Sequence, residues 1–259
     1  MIRGVQSSAE TMRAMITRQE VVARNLANLL TPGYKQETAL LKGFAVPVSR
    51  LESRVGVEGV RAALSARSAI GDVGVGTGID GISVDFRQGP LQETGRPLDV
   101  ALVGDGFLRV RTPEGEFLSR GGPLRLDADR RLVTEDGYPV LGPTGDVTLP
   151  DGVVSVERDG TILVDRQPVA TISVVEYPPG TRVAKVGDGL FTPEDPLSAQ
   201  QVANPLTQVR GGYLEASNVD ETAAMTELVQ SLRAYQASQR MLQAQDDLLG
   251  KAINEVGRV

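Results

Sequence analysis

The sequence predicts an α+β protein: amphipathic helices at its N- and C-terminal ends pair as a coiled-coil-like axial domain, and the middle of the chain forms a mostly antiparallel β domain. Apolar residues recur every three or four positions at both ends, which is the period of one helix face. Between the ends the period changes to two, and turn pairs follow at short intervals. With 259 residues, 41% of them hydrophobic, the chain can bury a core.

The segment 1–35 is predicted to hold the N-terminal axial helix. Arg13 and Glu20 lie off its apolar stripe, as expected for an amphipathic helix. Pro32 and Gly33 end the helix, because proline disfavours a helical residue before it and glycine supplies a turn. The stripe consists of Ile2, Val5, Ala9, Met12, Ile16, Gln19, Ala23, Leu26 and Leu30.

The segment 211–259 is predicted to hold a longer axial helix that packs with the first. Asn218 is the predicted N-cap, and Glu221 has the spacing that closes a capping box. A helix from Asn218 to Val256 would be roughly 57 Å long at about 1.5 Å per residue, so it needs an apolar partner in this chain or in another copy. Its stripe consists of Met225, Leu228, Leu232, Tyr235, Gln239, Leu242, Asp246, Leu249, Ile253 and Val256.

Residues 36–80 are predicted to form an extended connector, because proline, serine and a glycine-rich run weaken any period there. Gly76, Gly78 and Gly81 have the spacing of a dinucleotide-binding loop. The residues that follow, Ile82 to Phe86, alternate as a strand, whereas that loop must open a helix. The glycines therefore predict a flexible or β-structured link.

Residues 81–210 are predicted to form the β domain. Short alternating runs are separated by the turn pairs Glu114-Gly115, Asp136-Gly137 and Asp159-Gly160. The predicted strands are Leu98–Val103, Phe107–Arg111, Glu116–Ser119, Leu132–Thr134, Tyr138–Leu141, Val153–Val156, Thr161–Val164 and Val169–Val175.

Composition excludes several kinds of site. The chain has no cysteine and no histidine, which excludes thiol nucleophiles, disulfides, zinc sites and imidazole chemistry. A net charge of −6 disfavours nucleic acid as a partner. No apolar run approaches the 18 or so residues of a membrane span, and the N-terminus lacks an apolar signal core, which by the usual signals indicates a cytoplasmic protein. We therefore predict no cofactor, no metal and no membrane insertion.

Two alternatives from other functional classes stay open, a glycosidase and a monomeric binding module. Asp99 and Asp105 are candidates for the carboxylate pair of a β-rich glycosidase. A monomeric binding module, which would hide both helix stripes in one core, is the second alternative. Asp127 and Asp129 have a calcium-loop spacing, but Arg131 follows where another ligand is needed, so a solvated hairpin turn is expected there.

Motifs near both ends resemble one known family. Asn25–Lys35 reads NLANLLTPGYK and Gly212–Asp220 reads GYLEASNVD, and both are similar to signatures of the bacterial flagellar axial proteins, the rod, hook and hook-associated components. Phe86–Gln92 and Thr94–Val110 also resemble the β domain of that family. Leu118–Pro123, LSRGGP, departs from the family pattern, which more often has an aromatic residue and Asp-Gly, and this puts the local turn in question.

The resemblance implies a self-assembling structural subunit, not an enzyme. Within the family the chain most resembles the distal rod protein. This resemblance implies that its copies form a helical tubular drive shaft, the distal rod, which transmits torque to the hook. A proximal rod protein or a rod paralogue is the alternative. The implied partners are further copies of the chain, other flagellar rod and hook proteins, and the flagellar type III export apparatus. The implied location is the flagellar basal body in the cell envelope, reached without a cleaved signal peptide.

The stripes and the N-terminal motif together predict the subunit interface. Asn25 and Asn28 are expected to satisfy backbone or partner groups beside the apolar stripe, and Gly33 is expected to permit the turn. The predicted interface residues are Val5, Met12, Ile16, Asn25, Leu26, Asn28, Met225, Leu228, Leu232, Tyr235, Leu242, Leu249 and Ile253.

Overall fold

The chain forms two compact units in a computed structural model that describes residues 2–51, 67–178, 181–187, 189–194 and 206–256. The first unit comprises Met1–Ala23, Ala39–Ile82 and Met225–Val259. The second comprises Arg24–Thr38 and Ser83–Ala224. The predicted α+β class and the mostly antiparallel β domain are confirmed. The second unit takes in residues beyond the predicted β-domain limit of 210, and the four-part division of the chain stays a prediction.

The described secondary structure consists of long helices near both ends of the chain and short strands between them. The helices are α1 Ile2–Ala27 and α2 Glu221–Val256. The strands are β1 Glu37–Leu51, β2 Arg67–Val84, β3 Leu91–Glu93, β4 Asp99–Val103, β5 Phe107–Thr112, β6 Gly115–Ser119, β7 Gly121–Pro123, β8 Arg125–Leu126, β9 Leu132–Val133, β10 Leu141–Gly142, β11 Gly145–Asp146, β12 Val154–Val156, β13 Thr161–Val164, β14 Gln167–Thr171, β15 Val174–Val175, β16 Val183–Gly187, β17 Leu190–Pro193, β18 Gln208–Gly211 and β19 Tyr213–Glu215.

The two helices of the first unit contact each other and run antiparallel. Arg18 Nε donates to Glu227 Oε1 over 2.8 Å. Near the other end of α1, a Cβ added to Gly4 would lie 2.7 Å from Gln245 Nε2. Regular coiled-coil packing along the two helices stays a prediction.

The side of α1 that is buried is not the predicted stripe. Ala14, Met15, Val21 and Val22 are each at most 6% exposed, and none of them belongs to the stripe. The stripe residue Ile16 is 42% exposed. Much of the predicted stripe therefore stays near the surface of a single chain.

The predicted N-cap of α2 is wrong. The helix begins at Glu221, and Asp220 Oδ1 accepts a hydrogen bond from the Ala223 backbone N–H over 2.9 Å, so Asp220 is the cap. The side chain of Asn218 is engaged in contacts with other parts of the chain instead. Asparagine and aspartate are both good caps, and the local pattern did not distinguish between them.

The stretch predicted as a connector contains two long strands. β1 and β2 pair as a two-stranded sheet, and Lys42 Nζ lies 3.2 Å from Asp80 Oδ1 across it. Gly76, Gly78 and Gly81 lie within β2, so they do not open a helix as a dinucleotide-binding loop would. Residues 52–66 of the predicted connector lie outside the described residues.

The second unit is built from short antiparallel strands. Its largest sheet has the order β15-β5-β6-β17-β16, and three-stranded sheets have the orders β18-β4-β7 and β12-β13-β14. Strands β19 and β3 pair with each other, as do β8 and β9, and β10 and β11. The predicted strand Val169–Val175 is wrong as a single element: β14 pairs with β13, whereas β15 pairs with β5.

The core of the second unit lies among these sheets. Val100, Leu102, Val110 and Ile162 are fully buried at its centre. A smaller cluster contains Phe107 and Phe191, whose ring centroids are 5.9 Å apart.

Candidate functional site: the motif clasp and the helix surface

The two motifs meet in the second unit. Lys35 of the N-terminal motif and Glu215 of the C-terminal motif form a buried ion pair, with Nζ 2.6 Å from Oε1 and both side chains 1% exposed. The Gly33 backbone N–H donates to the Glu215 carbonyl oxygen over 2.7 Å. We call the contacts among Asn25–Glu37, Phe86–Pro90 and Gly212–Asp220 the motif clasp.

The segment Phe86–Pro90 lies between the two motifs and binds both. Lys35 Nζ donates to the Arg87 carbonyl oxygen over 2.9 Å, and the Gly89 backbone N–H donates to Glu215 Oε1 over 2.8 Å. A Cβ at Gly89 would lie 2.1 Å from the Ala216 carbonyl oxygen, so only glycine allows the two segments to come this close.

Asn218 closes the clasp from the C-terminal side. Its Oδ1 accepts from the Gln36 backbone N–H over 2.7 Å. Its Nδ2 donates to the carbonyl oxygens of Asp85 and Arg87 over 2.8 and 3.0 Å. One amide side chain thus joins three separate segments of the chain, which explains why it does not cap α2.

Arg120 adds a second buried cation beside Glu215. It is 2% exposed, and its guanidinium donates to the carbonyl oxygens of Gly106 and Gly104 over 2.6 and 2.9 Å. Its Nη2 lies 3.8 Å from Glu215 Oε2. Burial, followed by the Arg120 charge, lowers the pKa of Lys35 although Glu215 favours the protonated amine. Glu215 is therefore the carboxylate that Lys35 and Arg120 share, while the charges of Asp85 and Asp105 also favour the protonated forms of Lys35 and Arg120, respectively.

The structure also shows the local conformation of the sequence LSRGGP. Gly121 and Gly122 follow Arg120 and begin strand β7, with φ angles of 94° and 133°. A Cβ at Gly121 would lie 2.5 Å from the Val100 carbonyl oxygen, so this position needs glycine for both its backbone angle and its space.

Glu37 forms the other charged part of the clasp. Its carboxylate accepts from Arg24 Nη2 and Lys185 Nζ, each over 2.9 Å, and Lys185 also lies 3.9 Å from the centroid of the Tyr34 ring. Burial on its own would raise the pKa of Glu37, but the hydrogen bonds from Lys185 and Arg24 lower it below its usual value. Burial, and secondarily the charge of Glu37, raises the pKa of Tyr34 to about 12.

We expect acid to remove the contribution of Glu37 to stability. Because its folded pKa is depressed, that contribution is present above the unfolded pKa and is lost as the pH falls through the folded pKa. Urea unfolding should therefore show a gap between the wild type and Glu37→Gln at neutral pH, and the gap should narrow in acid. The exposed Glu20→Gln variant is the control. A gap for Glu37→Gln that does not change with pH would contradict this assignment.

The predicted motif residues Asn25 and Asn28 have different roles. Asn25 is 2% exposed, and its amide bonds the Glu37 carbonyl oxygen over 2.7 Å and the Glu37 backbone N–H over 2.9 Å. The Tyr34 hydroxyl donates to Asn25 Oδ1 over 3.1 Å. Asn28 Nδ2 donates to the Arg24 carbonyl oxygen over 2.9 Å, one turn back in the chain. These bonds account for both asparagines within one chain, and Asn25 offers little surface to a neighbour.

The other predicted interface residues fall into an exposed group and a half-buried group. Ile16, Met225, Leu232 and Ile253 are exposed apolar side chains. The half-buried members are Val5, Met12, Leu26, Leu228, Tyr235, Leu242 and Leu249. Val229, Met241 and Leu248 are exposed apolar residues of α2 that the stripe did not include. Their role as subunit contacts stays a prediction.

The carboxylates considered for other chemistry have structural surroundings. Asp99 is buried at the start of β4 and pairs with Arg96 Nε over 2.9 Å, whereas Asp105 is exposed in the turn that follows the strand. Asp127 lies in the β8–β9 hairpin, where its carboxylate accepts from the Arg131 backbone N–H over 2.8 Å. Among the described residues, no group of three acidic side chains is placed to hold a metal ion. Neither described helix is long and apolar enough to cross a membrane.

Comparison with known proteins finds relatives of one kind. The family model for the C-terminal region of flagellar basal body rod FlgEFG proteins matches residues 210–255, and that for the D1 domain of flagellar hook protein FlgE/F/G matches residues 101–164. The chain is 32% identical over 250 residues to the flagellar basal-body rod protein FlgF of Escherichia coli, covering 92% of this chain and 91% of the relative.

Two further relatives extend this similarity over nearly the whole chain. The rod protein FlgG of Agrobacterium fabrum is 29% identical over 258 residues, covering 95% of this chain and 97% of the relative. The flagellar hook-basal body complex protein FlhO of Bacillus subtilis is 29% identical over 280 residues, covering both chains completely. The resemblance carried by the two motifs is thereby confirmed.

Proposed function

Because the chain belongs to the flagellar basal-body rod protein family that includes FlgF and FlgG, we propose that it is a self-assembling structural subunit of the rod. In this role it forms a helical tube in the distal rod and transmits torque to the hook. The observation that carries the proposal is the pair of long helices whose apolar surface a single chain leaves partly exposed. Such surface favours association with further copies.

The position within the rod has one other candidate. Identity to FlgF of Escherichia coli and to FlgG of Agrobacterium fabrum is nearly equal, at 32% and 29%, so sequence similarity gives little weight to either position over the other. A proximal rod protein or a rod paralogue would use the same helices beside different neighbours. A distal subunit should polymerise alone when purified and concentrated, whereas a subunit that needs other rod proteins should not.

The partners and the location follow from the same role. Other rod and hook proteins are the neighbours above and below this subunit, and the flagellar type III export apparatus delivers the chain without a cleaved signal peptide. The location is the flagellar basal body. A non-enzymatic role is supported by the relatives, which are named as rod proteins, and by the structural surroundings of Asp99 and Asp105.

We expect Leu232→Asp to prevent polymerisation. The substitution places a carboxylate in an apolar contact between copies, which costs several kcal/mol where water is excluded. Electron microscopy of concentrated protein should show tubes for the wild type and none for Leu232→Asp, and cells carrying the variant should lose motility. Gln230→Asp adds the same charge at another exposed position of α2 and should leave assembly intact. Normal rods in the Leu232→Asp variant would overturn the proposed role of this surface.

A further inference from the structure

The sequence repeats one chemically labile dipeptide, aspartate followed by glycine. In such a pair the glycine nitrogen attacks the side-chain carboxyl carbon of the aspartate, water leaves, and a cyclic succinimide forms. Glycine favours this step because no Cβ hinders its nitrogen. Water then opens the ring to aspartate or to isoaspartate. The pairs are Asp80-Gly81, Asp105-Gly106, Asp136-Gly137, Asp151-Gly152, Asp159-Gly160 and Asp188-Gly189. Asp188 lies outside the described residues.

The fold restrains the pairs that begin at Asp80 and Asp105. Asp80 and Gly81 lie within β2, which pairs with β1, so their backbone is held extended. Gly106 is buried, and its N–H donates to Thr207 Oγ1 over 2.8 Å. In both places the strand pairing or the hydrogen bond must break before the glycine nitrogen can turn towards the aspartate side chain.

Tight turns restrain further pairs. The Gly137 N–H donates to the Thr134 carbonyl oxygen over 3.0 Å. The Gly160 N–H donates to the Glu157 carbonyl oxygen over 3.1 Å. Each bond closes a β-turn whose third residue is the aspartate, so it fixes the backbone on both sides of that residue.

Asp151-Gly152 lacks these restraints. Both residues are exposed, and the Asp151 side chain is 97% exposed. Among the described residues, no acceptor binds the Gly152 N–H. Asp151 Oδ1 lies 3.2 Å from Arg130 Nη1, but an ion pair this open to water contributes little. Of the described glycine nitrogens in these pairs, that of Gly152 therefore has the least to break before it attacks.

The fold nevertheless requires glycine at position 152. A Cβ on Gly152 would lie 2.5 Å from both Asp165 Oδ2 and Val164 Cγ1, and a φ angle of 153° is rare for other residues. The neighbouring Val153 N–H donates to Asp165 Oδ1 over 3.0 Å, which holds that carboxylate against the loop. The packing that needs Gly152 thus also gives Asp151 a labile neighbour.

We propose that Asp151 is the principal site of isoaspartate formation among the described residues of this protein. A bond forms between the Gly152 nitrogen and Asp151 Cγ, and the amide proton leaves with the carboxyl hydroxyl as water. Hydrolysis of the bond between that nitrogen and the Asp151 backbone carbonyl carbon then routes the main chain through Cβ. The main chain gains a methylene group, and the α-carboxylate becomes free. The reaction concerns a single chain and is independent of the proposed self-assembly.

Methyl labelling tests the site in the wild-type protein. The folded chain is aged in buffer and then treated with a purified isoaspartate-specific methyltransferase and labelled S-adenosylmethionine. Peptide mapping should place the label at Asp151, whereas protein aged in urea should also carry it at Asp136 and Asp159. Asp151→Glu keeps the charge but closes a larger ring much more slowly, so it should abolish labelling at this position.

A faster reaction gives a matched comparison. In Asp151→Asn and Asp159→Asn the same ring closure releases ammonia, and mass spectrometry follows the loss. The folded Asp151→Asn variant should deamidate roughly tenfold faster than Asp159→Asn, since the latter must first break its turn hydrogen bond. In urea the two rates should become similar. Equal rates in the folded variants, or folded wild-type protein labelled at Asp136 or Asp159 but not at Asp151, would overturn the proposal.

Discussion

Replacing Glu215 by glutamine should lower the free energy of unfolding of the second unit by roughly 3 to 5 kcal/mol, the usual cost of removing one partner from a buried ion pair. The substitution leaves Lys35 and Arg120 as neighbouring buried cations without the carboxylate that both of them pair with. Urea unfolding followed by circular dichroism measures the loss. Glu135→Gln, at an exposed position, is the matched control and should change stability little.

A second substitution separates charge from packing in this experiment. Lys35→Met in the Glu215→Gln background removes one of the two uncompensated cations, so the double variant should recover part of the lost stability. The double-mutant cycle then gives the coupling between Lys35 and Glu215. A cost for Glu215→Gln no larger than that for Glu135→Gln would show that the clasp contributes nothing to stability.

Polymerisation should slow the rate of amide hydrogen exchange in the terminal helices by orders of magnitude. Backbone ordering costs about 1 to 2 kcal/mol per residue, and the exposed apolar residues of α2 leave much of that cost for neighbouring copies to offset. In dilute monomer, amides of Val5–Leu30 and Met225–Val256 should exchange fast, and those of α2 should become slow in tubes. Strand β4, with its buried residues, should be slow in both states.

Slow hydrogen exchange of both terminal helices in the monomer would contradict this expectation. Protection of α1 and α2 equal to that of β4, in protein verified as monomeric by sedimentation, would mean that the helices form a closed core within one chain. The exposed apolar residues of α2 would then be surface residues without an assembly role.

The helices were predictable because their signal is local. The three-four period placed α1 and α2 within a few residues of their observed ends, since amphipathic periodicity extends over many turns. The side of each helix that is buried was less predictable. In α1 the buried residues Met15 and Val22 lie beside the stripe, because a neighbouring element and not the helix's own pattern decides which side is covered.

The clasp could not be derived from residue patterns. Lysine, arginine and glutamate are ordinarily surface residues, so nothing local indicates that Lys35, Arg120 and Glu215 are buried together. The family motifs did contain Lys35 and Glu215, and that was the available signal. Strands β1 and β2 were predicted only as an extended connector, flexible or β-structured, for a related reason: glycine and proline weaken the alternating pattern, and pairing between segments distant in sequence is not visible in either segment.

The large sequence separation of Lys35 and Glu215 also determines when their ion pair forms during folding. The two residues are separated by 180 positions, so joining them directly in an unfolded chain costs roughly 4 to 5 kcal/mol in loop entropy. Neighbouring strands such as β5 and β6 close much shorter loops and can form first. Once the intervening sheets are folded, the loop left to close is short. The clasp should therefore form last, and the N-terminal motif remains unattached until nearly all of the chain between it and Glu215 has folded.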